Sequence, residues 1–180
     1  MISHTALVHP DDVPRFSELG VIADFQTSWA TLDPITEGLT VERLGTERRD
    51  RFYAIKELLD AGAHVSMSSD WPVAGYAPTY RPLVSIQVAV TRQTTAPPRR
   101  DPLGGESARL SVEEAIRAHT LGQAYALGEE DRLGSLEVGK KADLIVFEES
   151  LFEVDMYDIG ETAVQLTMMN GRITHRDESF

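Results

Sequence analysis

The chain has 180 residues, no cysteine and a formal net charge of −12, so disulfides and thiolate metal ligands are excluded, and nucleic acid and anionic membranes are poor partners. Hydrophobic content of 42% and charged content of 26% describe a globular chain of one domain, or one and a half, with ample material for a core. No apolar run reaches the ~18–20 residues of a membrane helix, no basic-then-apolar leader opens the chain, and the absent cysteines fit a cytoplasmic location.

Ile2 opens a short strand-forming stretch to His4, and Ala6-Leu7-Val8 continues apolar to His9-Pro10. Asp11-Asp12 supplies a helix N-cap, with Pro14 in the first turn and Val13, Phe16 and Leu19 on one face before Gly20 ends the helix. Val21 to Gln26 reads as a mostly buried second strand, which makes a parallel βαβ unit. Residues 27–46, with Asp33-Pro34 and two glycines, read as a long loop that is functional or mobile. From Thr46 to Ala61 the pattern is helical, with Phe52, Ile55, Leu58 and Leu59 on one face and Gly62 as C-cap.

Ala63 to Met67 has buried-strand character and delivers Ser68, Ser69 and then Asp70, where Trp71-Pro72 stops a sheet ladder. A carboxylate at such a strand end sits where α/β barrels place catalytic residues. Pro72, Pro78 and Pro82 punctuate the following loop, Leu83 to Val90 reads as a helix, and residues 91–106 form a second long loop. Ser111-Val112-Glu113-Glu114 is a capping box that opens a helix to about Leu121, and a short helix from Gly122 to Leu127 ends at Gly128. From Asp131 onward strands take over: Leu144 to Phe147, then Val164 to Met169, which Asn170-Gly171 turns into Arg172 to His175. The expected class is α/β for residues 1–130, with a β-strand segment over 131–180.

The remaining histidines have plain readings. His9 precedes a proline and reads as loop, His64 as a hydrogen-bonded core histidine, His119 as structural on a helix, and His175 as remote in the last strand. Trp29 either lines a pocket or packs a loop. Gly134 to Lys140 lacks the glycine spacing and following helix of a phosphate loop and reads as a turn. Without thiolates, any metal would be held by His, Asp or Glu, which suits zinc or another borderline divalent ion.

Five stretches occur in a telling order: Ile2-Ser3-His4-Thr5-Ala6-Leu7-Val8-His9-Pro10-Asp11-Asp12, Gly20-Val21-Ile22-Ala23, Ser68-Ser69-Asp70-Trp71-Pro72-Val73, Ser111 through His119-Thr120 to Ala124, and Gly134-Ser135-Leu136-Glu137-Val138-Gly139-Lys140-Lys141-Ala142-Asp143 leading into Leu144-Ile145-Val146. Together they resemble the C-terminal portion of the amidohydrolase superfamily, in its amidohydrolase-3 group of YtcJ-like enzymes and N-substituted formamide deformylases. The resemblance implies a partial (β/α)8 TIM barrel, strands 6–8 with their helices, followed by C-terminal strands of a small β-sandwich domain. It implies that His4 is the strand-6 metal ligand, and that Asp70 is the strand-8 aspartate serving as metal ligand and catalytic base. It further implies a divalent metal as cofactor, zinc or another borderline ion, and a small amide- or formamide-type substrate, hydrolysed at a non-peptide carbon–nitrogen bond. The chemistry is coherent: imidazole holds a divalent ion that acidifies water, and a carboxylate beside that water takes its proton.

The departures from the pattern set further expectations. No His-x-His occurs, Ser3 stands where the family carries Glu, and nothing here supplies strands 1–5 or the strand-5 histidine. The chain is therefore expected to be a C-terminal portion that binds metal substoichiometrically and is inactive alone, because zinc sites use three or four protein ligands. Three strands cannot close a barrel, so an exposed edge is expected to seek a homo-oligomeric partner or a complementing N-terminal half. The alternative is a non-catalytic remnant that acts by binding a partner.

Overall fold

The βαβ unit expected at the start of the chain sets the frame of the structure, a computed structural model that describes residues 1–73 and 79–180, with Leu39 described by its backbone alone. Pro78, one of the three prolines expected to punctuate the loop after Asp70, lies outside the described residues. Strands β1 (Ile2–Ser3), β2 (Ala23–Gln26) and β3 (Val65–Ser68) form a parallel sheet in that order. Ile2 stands opposite Ala23, and Ala23 opposite Val65. The connecting helix α1 (Val13–Glu18) buries Val13 and Phe16, while Leu19 at its C-cap stays exposed.

Side chains alternate across a strand. Ala23 and Phe25 of β2 therefore join Val65 and Met67 of β3 in the apolar core, whereas Asp24 and Gln26 share the opposite face with Ser66 and Ser68. Every residue of β2 is buried, as a strand covered on both faces should be.

Two segments depart from expectation. Residues 27–46 are not an unstructured loop: they hold a 3-10 turn (Thr27–Trp29), a π-helical turn (Thr36–Val41) and a helical turn α2 (Glu42–Leu44). Buried Asp33 organises them. Its carboxylate accepts the backbone N–H groups of Ile35 (2.8 Å) and Thr36 (3.1 Å) and the hydroxyls of Thr31 (3.1 Å) and Thr36 (2.8 Å). With Pro34 next in sequence, this is a side-chain N-cap in action.

The single helix expected over 46–61 is split into α3 (Thr46–Asp50) and α4 (Ile55–Asp60). Tertiary bonds outcompete the helical ones at the break. The Tyr53 N–H donates to the Ala6 carbonyl at 2.8 Å, and Arg92 Nη2 donates to the Phe52 carbonyl at 2.9 Å. Tyr53 is left in the left-handed region at φ 54°. Helix α4 then stops as expected, with the Gly62 N–H on the Leu59 carbonyl and the Ala63 N–H on the Leu58 carbonyl.

Helices α5 (Pro82–Thr91), α6 (Val112–His119) and α7 (Leu121–Ala126) follow. The α6 capping box is present in both directions: the Glu114 N–H donates to Ser111 Oγ (3.1 Å), and the Ser111 N–H donates to Glu114 Oε2 (2.8 Å). The Ala23 N–H bonds the His64 carbonyl, so Val65 and Met67 point their backbone groups away from β2. There α7 meets them. Gln123 Nε2 donates to the Met67 carbonyl at 2.6 Å, and a Cβ added to Gly122 would lie 2.3 Å from the Val65 oxygen. At one edge of the sheet α7 thus meets β3, and at the other stands β1, whose residues are exposed.

The tail forms an antiparallel sheet, β4 (Leu144–Phe147), β5 (Val164–Met169) and β6 (Arg172–Arg176). Asn170 (φ 51°) and Gly171 (φ 76°) supply the two left-handed residues of a tight hairpin. Between β4 and β5, Leu151 and Ile159 enter the same core as the helices, and Gln87 of α5 accepts the Gly160 N–H at 2.7 Å. Among the described residues no helix is long and apolar enough to cross a membrane.

Candidate functional site

Parallel strands aim their C-terminal ends at one side of the sheet, and residues that follow them converge there. His4 comes directly after β1, and Asp70 two residues after β3. Their side chains meet, with His4 Nε2 at 3.9 Å from Asp70 Oδ2, too long for a hydrogen bond. The His4 side chain is 48% exposed and that of Asp70 29%, so the pair opens toward solvent. The two residues singled out in the sequence are therefore neighbours in space.

Beneath them lies the polar face of the sheet. Gln26 Oε1 accepts the His4 backbone N–H at 3.0 Å, while Gln26 Nε2 donates to Asp24 Oδ2 (2.6 Å) and Ser68 Oγ (2.7 Å). One side chain thereby ties the ends of all three strands. Buried Asp24 also accepts from Ser66 Oγ at 2.9 Å and from Gln123 Nε2 at 3.2 Å. A buried carboxylate needs such donors, since each one left unpaired costs roughly 1–3 kcal/mol.

Two aromatic residues complete the surroundings. Trp29 Nε1–H donates to Asp70 Oδ2 at 3.1 Å, and its indole stands edge-on to the His4 ring at 6.5 Å. Tyr53 Oη lies 3.2 Å from His4 Nδ1. Burial, with the Asp70 charge adding to it, pushes the Tyr53 phenol well above its ordinary pKa, so it stays neutral. Backbone strain collects here as well. His4 (φ 65°), Thr5 (φ 42°), Tyr53 (φ 54°) and Asp70 (φ 58°) are all left-handed without being glycine. Such residues persist only where the surroundings over-determine them, and they gather at functional sites.

The other histidines lie elsewhere. His64, expected in the core, is exposed and stacks on Tyr125 with ring centroids 3.9 Å apart, because its side chain falls on the outward side of the strand entrance. His119 faces inward, with Nε2 at 2.9 Å from Ser85 Oγ, and burial lowers its pKa to about 4. His9 is exposed and its Nδ1 accepts the Asp11 N–H at 3.3 Å. His175 sits exposed on β6. A cavity of about 260 Å³ between α4, β3, α6 and α7 is lined by neither His4 nor Asp70. Among the described residues no group of three or more His, Asp or Glu side chains converges to hold a metal.

Sequence reading missed Gln26 and Tyr53 and left Trp29 undecided. The alternation Ala23-Asp24-Phe25-Gln26 does carry a signal, since polar residues at period two mark a second, hydrogen-bonded face. Tyr53 carries none, because it sits inside a helical pattern.

A family model described as the amidohydrolase family matches residues 1–175. The protein LONG AFTER FAR-RED 3 of Arabidopsis thaliana is 31% identical over 172 residues, covering 95% of this chain and 28% of its own length. N-substituted formamide deformylase of Arthrobacter pascens is 28% identical over 174 residues, covering 94% of this chain and 30% of its own. The crystal structure of a metal-dependent hydrolase from Pyrococcus furiosus superposes with a TM-score of 0.62 at 31% identity, over 78% of this chain and 26% of that one. The chain spans less than a third of the length of each of these proteins.

Proposed function

Because this chain belongs to the amidohydrolase family, we propose that it supplies the C-terminal part of a metal-dependent hydrolase, with His4 and Asp70 as two ligands of one divalent ion. The observation that carries this reading is their approach to 3.9 Å at the ends of β1 and β3, on a strained backbone and above a hydrogen-bonded floor. The similarity to a formamide deformylase and to a metal-dependent hydrolase supports a small substrate cleaved at a non-peptide amide or formamide bond. In this reading β1, β2 and β3 are strands 6–8 of a (β/α)8 barrel, and residues 131–180 belong to a small β-sandwich.

The donor types fit the ion in part. One imidazole nitrogen and one carboxylate oxygen suit zinc, but a zinc site takes three or four protein ligands, and the described residues bring together two. The remainder would come from the rest of the enzyme. A bound ion would acidify a water molecule and polarise the substrate carbonyl. In this reading Asp70 would take the proton and return it to the leaving nitrogen, and the Trp29 bond to Oδ2 would orient the carboxylate. His4 Nε2 faces the same opening.

Metal analysis after dialysis against zinc, paired with an assay on an N-substituted formamide, tests the reading on the 180-residue chain. The expected result is substoichiometric zinc that His4→Ala and Asp70→Ala each abolish, with no turnover. Zinc retention unchanged in both variants would remove the ligand assignment. An equimolar ion that survives dialysis, or turnover by the chain alone, would remove the claim that the site is shared with further chain.

A further inference from the structure

We propose that Tyr53 is the residue that aims His4, fixing the imidazole with Nδ1 on the phenol and Nε2 toward Asp70; this rests on the reading of His4 as a metal ligand. The ring has two nitrogens, with Tyr53 Oη at 3.2 Å from Nδ1 and Asp70 Oδ2 at 3.9 Å from Nε2. Only the first is within hydrogen-bond reach. For Nε2 to offer a lone pair, the ring proton must sit on Nδ1 and be donated outward, here to the phenolic oxygen.

Tyr53 is built to be immobile. It is 3% exposed, its ring is packed edge-on against Phe52 at 4.9 Å and tilted against Phe25 at 6.0 Å, and its N–H holds the Ala6 carbonyl two residues beyond His4. Its left-handed backbone is secured from the far side by fully buried Arg92, which donates through Nη2 to the Phe52 carbonyl and through Nε to the Leu103 carbonyl at 3.1 Å. The gap between α3 and α4 thereby acquires a purpose. A continuous helix would satisfy the backbone of residues 51–54 internally, whereas the break delivers one neutral hydroxyl to one imidazole nitrogen. Tyr53 acts through His4 and is a positioning residue.

The test reads the tautomer directly, without metal. Long-range proton–nitrogen NMR correlations of the His4 ring in the 180-residue chain, recorded near pH 8, are expected to show the proton on Nδ1. In Tyr53→Phe the ring is expected to revert to the Nε2–H form favoured by a free histidine side chain. A wild-type ring protonated on Nε2, or a Tyr53→Phe ring unchanged from wild type, overturns the proposal. Should Tyr53→Phe not fold, as a thermal melt would show, the wild-type tautomer alone decides. Cobalt(II) titration followed by its visible absorption separates the two levels of argument, with a roughly 10- to 100-fold weakening expected in Tyr53→Phe. If His4→Ala leaves cobalt binding intact, the ligand reading fails while the tautomer still judges Tyr53. If His4→Ala abolishes binding and Tyr53→Phe does not weaken it, the ligand reading stands and the Tyr53 proposal falls.

Discussion

The parallel sheet β1–β3 and the antiparallel sheet β4–β6 have three strands each, yet β2 is buried at every residue and β6 is exposed at every residue. The parallel strands are joined by long crossovers, and their polar face is stitched by side chains remote in sequence: Gln26 to Ser68 and Asp24 to Gln123. The antiparallel strands β5 and β6 are joined by a two-residue turn, and their bonds are mostly to each other. All the groups of the candidate site stand on or beside the first sheet. A mouth assembled from several strand ends needs residues brought together over long distances, which a local hairpin does not do.

Core truncation is expected to expose that contrast most strongly. Phe25→Ala in β2 is expected to cost about 3–5 kcal/mol, and Ile173→Ala in β6, 43% exposed, less than ~1 kcal/mol by urea unfolding. Equal costs would break the comparison. Next comes the covered edge of β3. Gly122→Ala drives a methyl into the Val65 carbonyl and should cost about 2 kcal/mol, with faster amide exchange at Val65 and Met67. Unchanged exchange would mean that α7 does not protect that edge.

The smallest effect concerns pH. His119 folds with its pKa lowered by burial to about 4 from an ordinary 6.5, so the unfolded chain takes the proton first. Stability from this group is complete above pH 6.5 and is lost as the pH falls from 6.5 toward 4, by about 1 kcal/mol once its partial exposure is allowed for. His119→Gln should flatten that slope in urea midpoints measured from pH 7 to pH 4.5. A slope that persists would assign it to other groups.

Much of this was legible along the chain because it is local. The capping box at Ser111, the stop at Gly62, the Asn170-Gly171 turn and the βαβ alternation are each written within a few residues and appear in the structure. Asp33-Pro34 was legible too: it is an N-cap followed by a first-turn proline, hidden inside a stretch read as loop. The site was half legible. His4 and Asp70 stand out by residue type, strand-end position and family resemblance, while the period-two alternation that places Asp24 and Gln26 on a polar face is short and lies in a stretch that reads as buried throughout.

By itself, the sequence determined the three parallel strands, the capped ends of α4 and α6, the Asn170-Gly171 hairpin and which residues are apolar at each period. Those properties depend on backbone propensity and on spacing within a few residues. Only the tertiary structure decided that Tyr53 breaks a helix to reach His4, that Gln26 ties three strand ends, that α7 covers one edge of the sheet, and that His64 turns outward. The physical reason is common to these cases. Each outcome is a competition between a local hydrogen bond or preference and a partner tens of residues away, and the winner is set by packing.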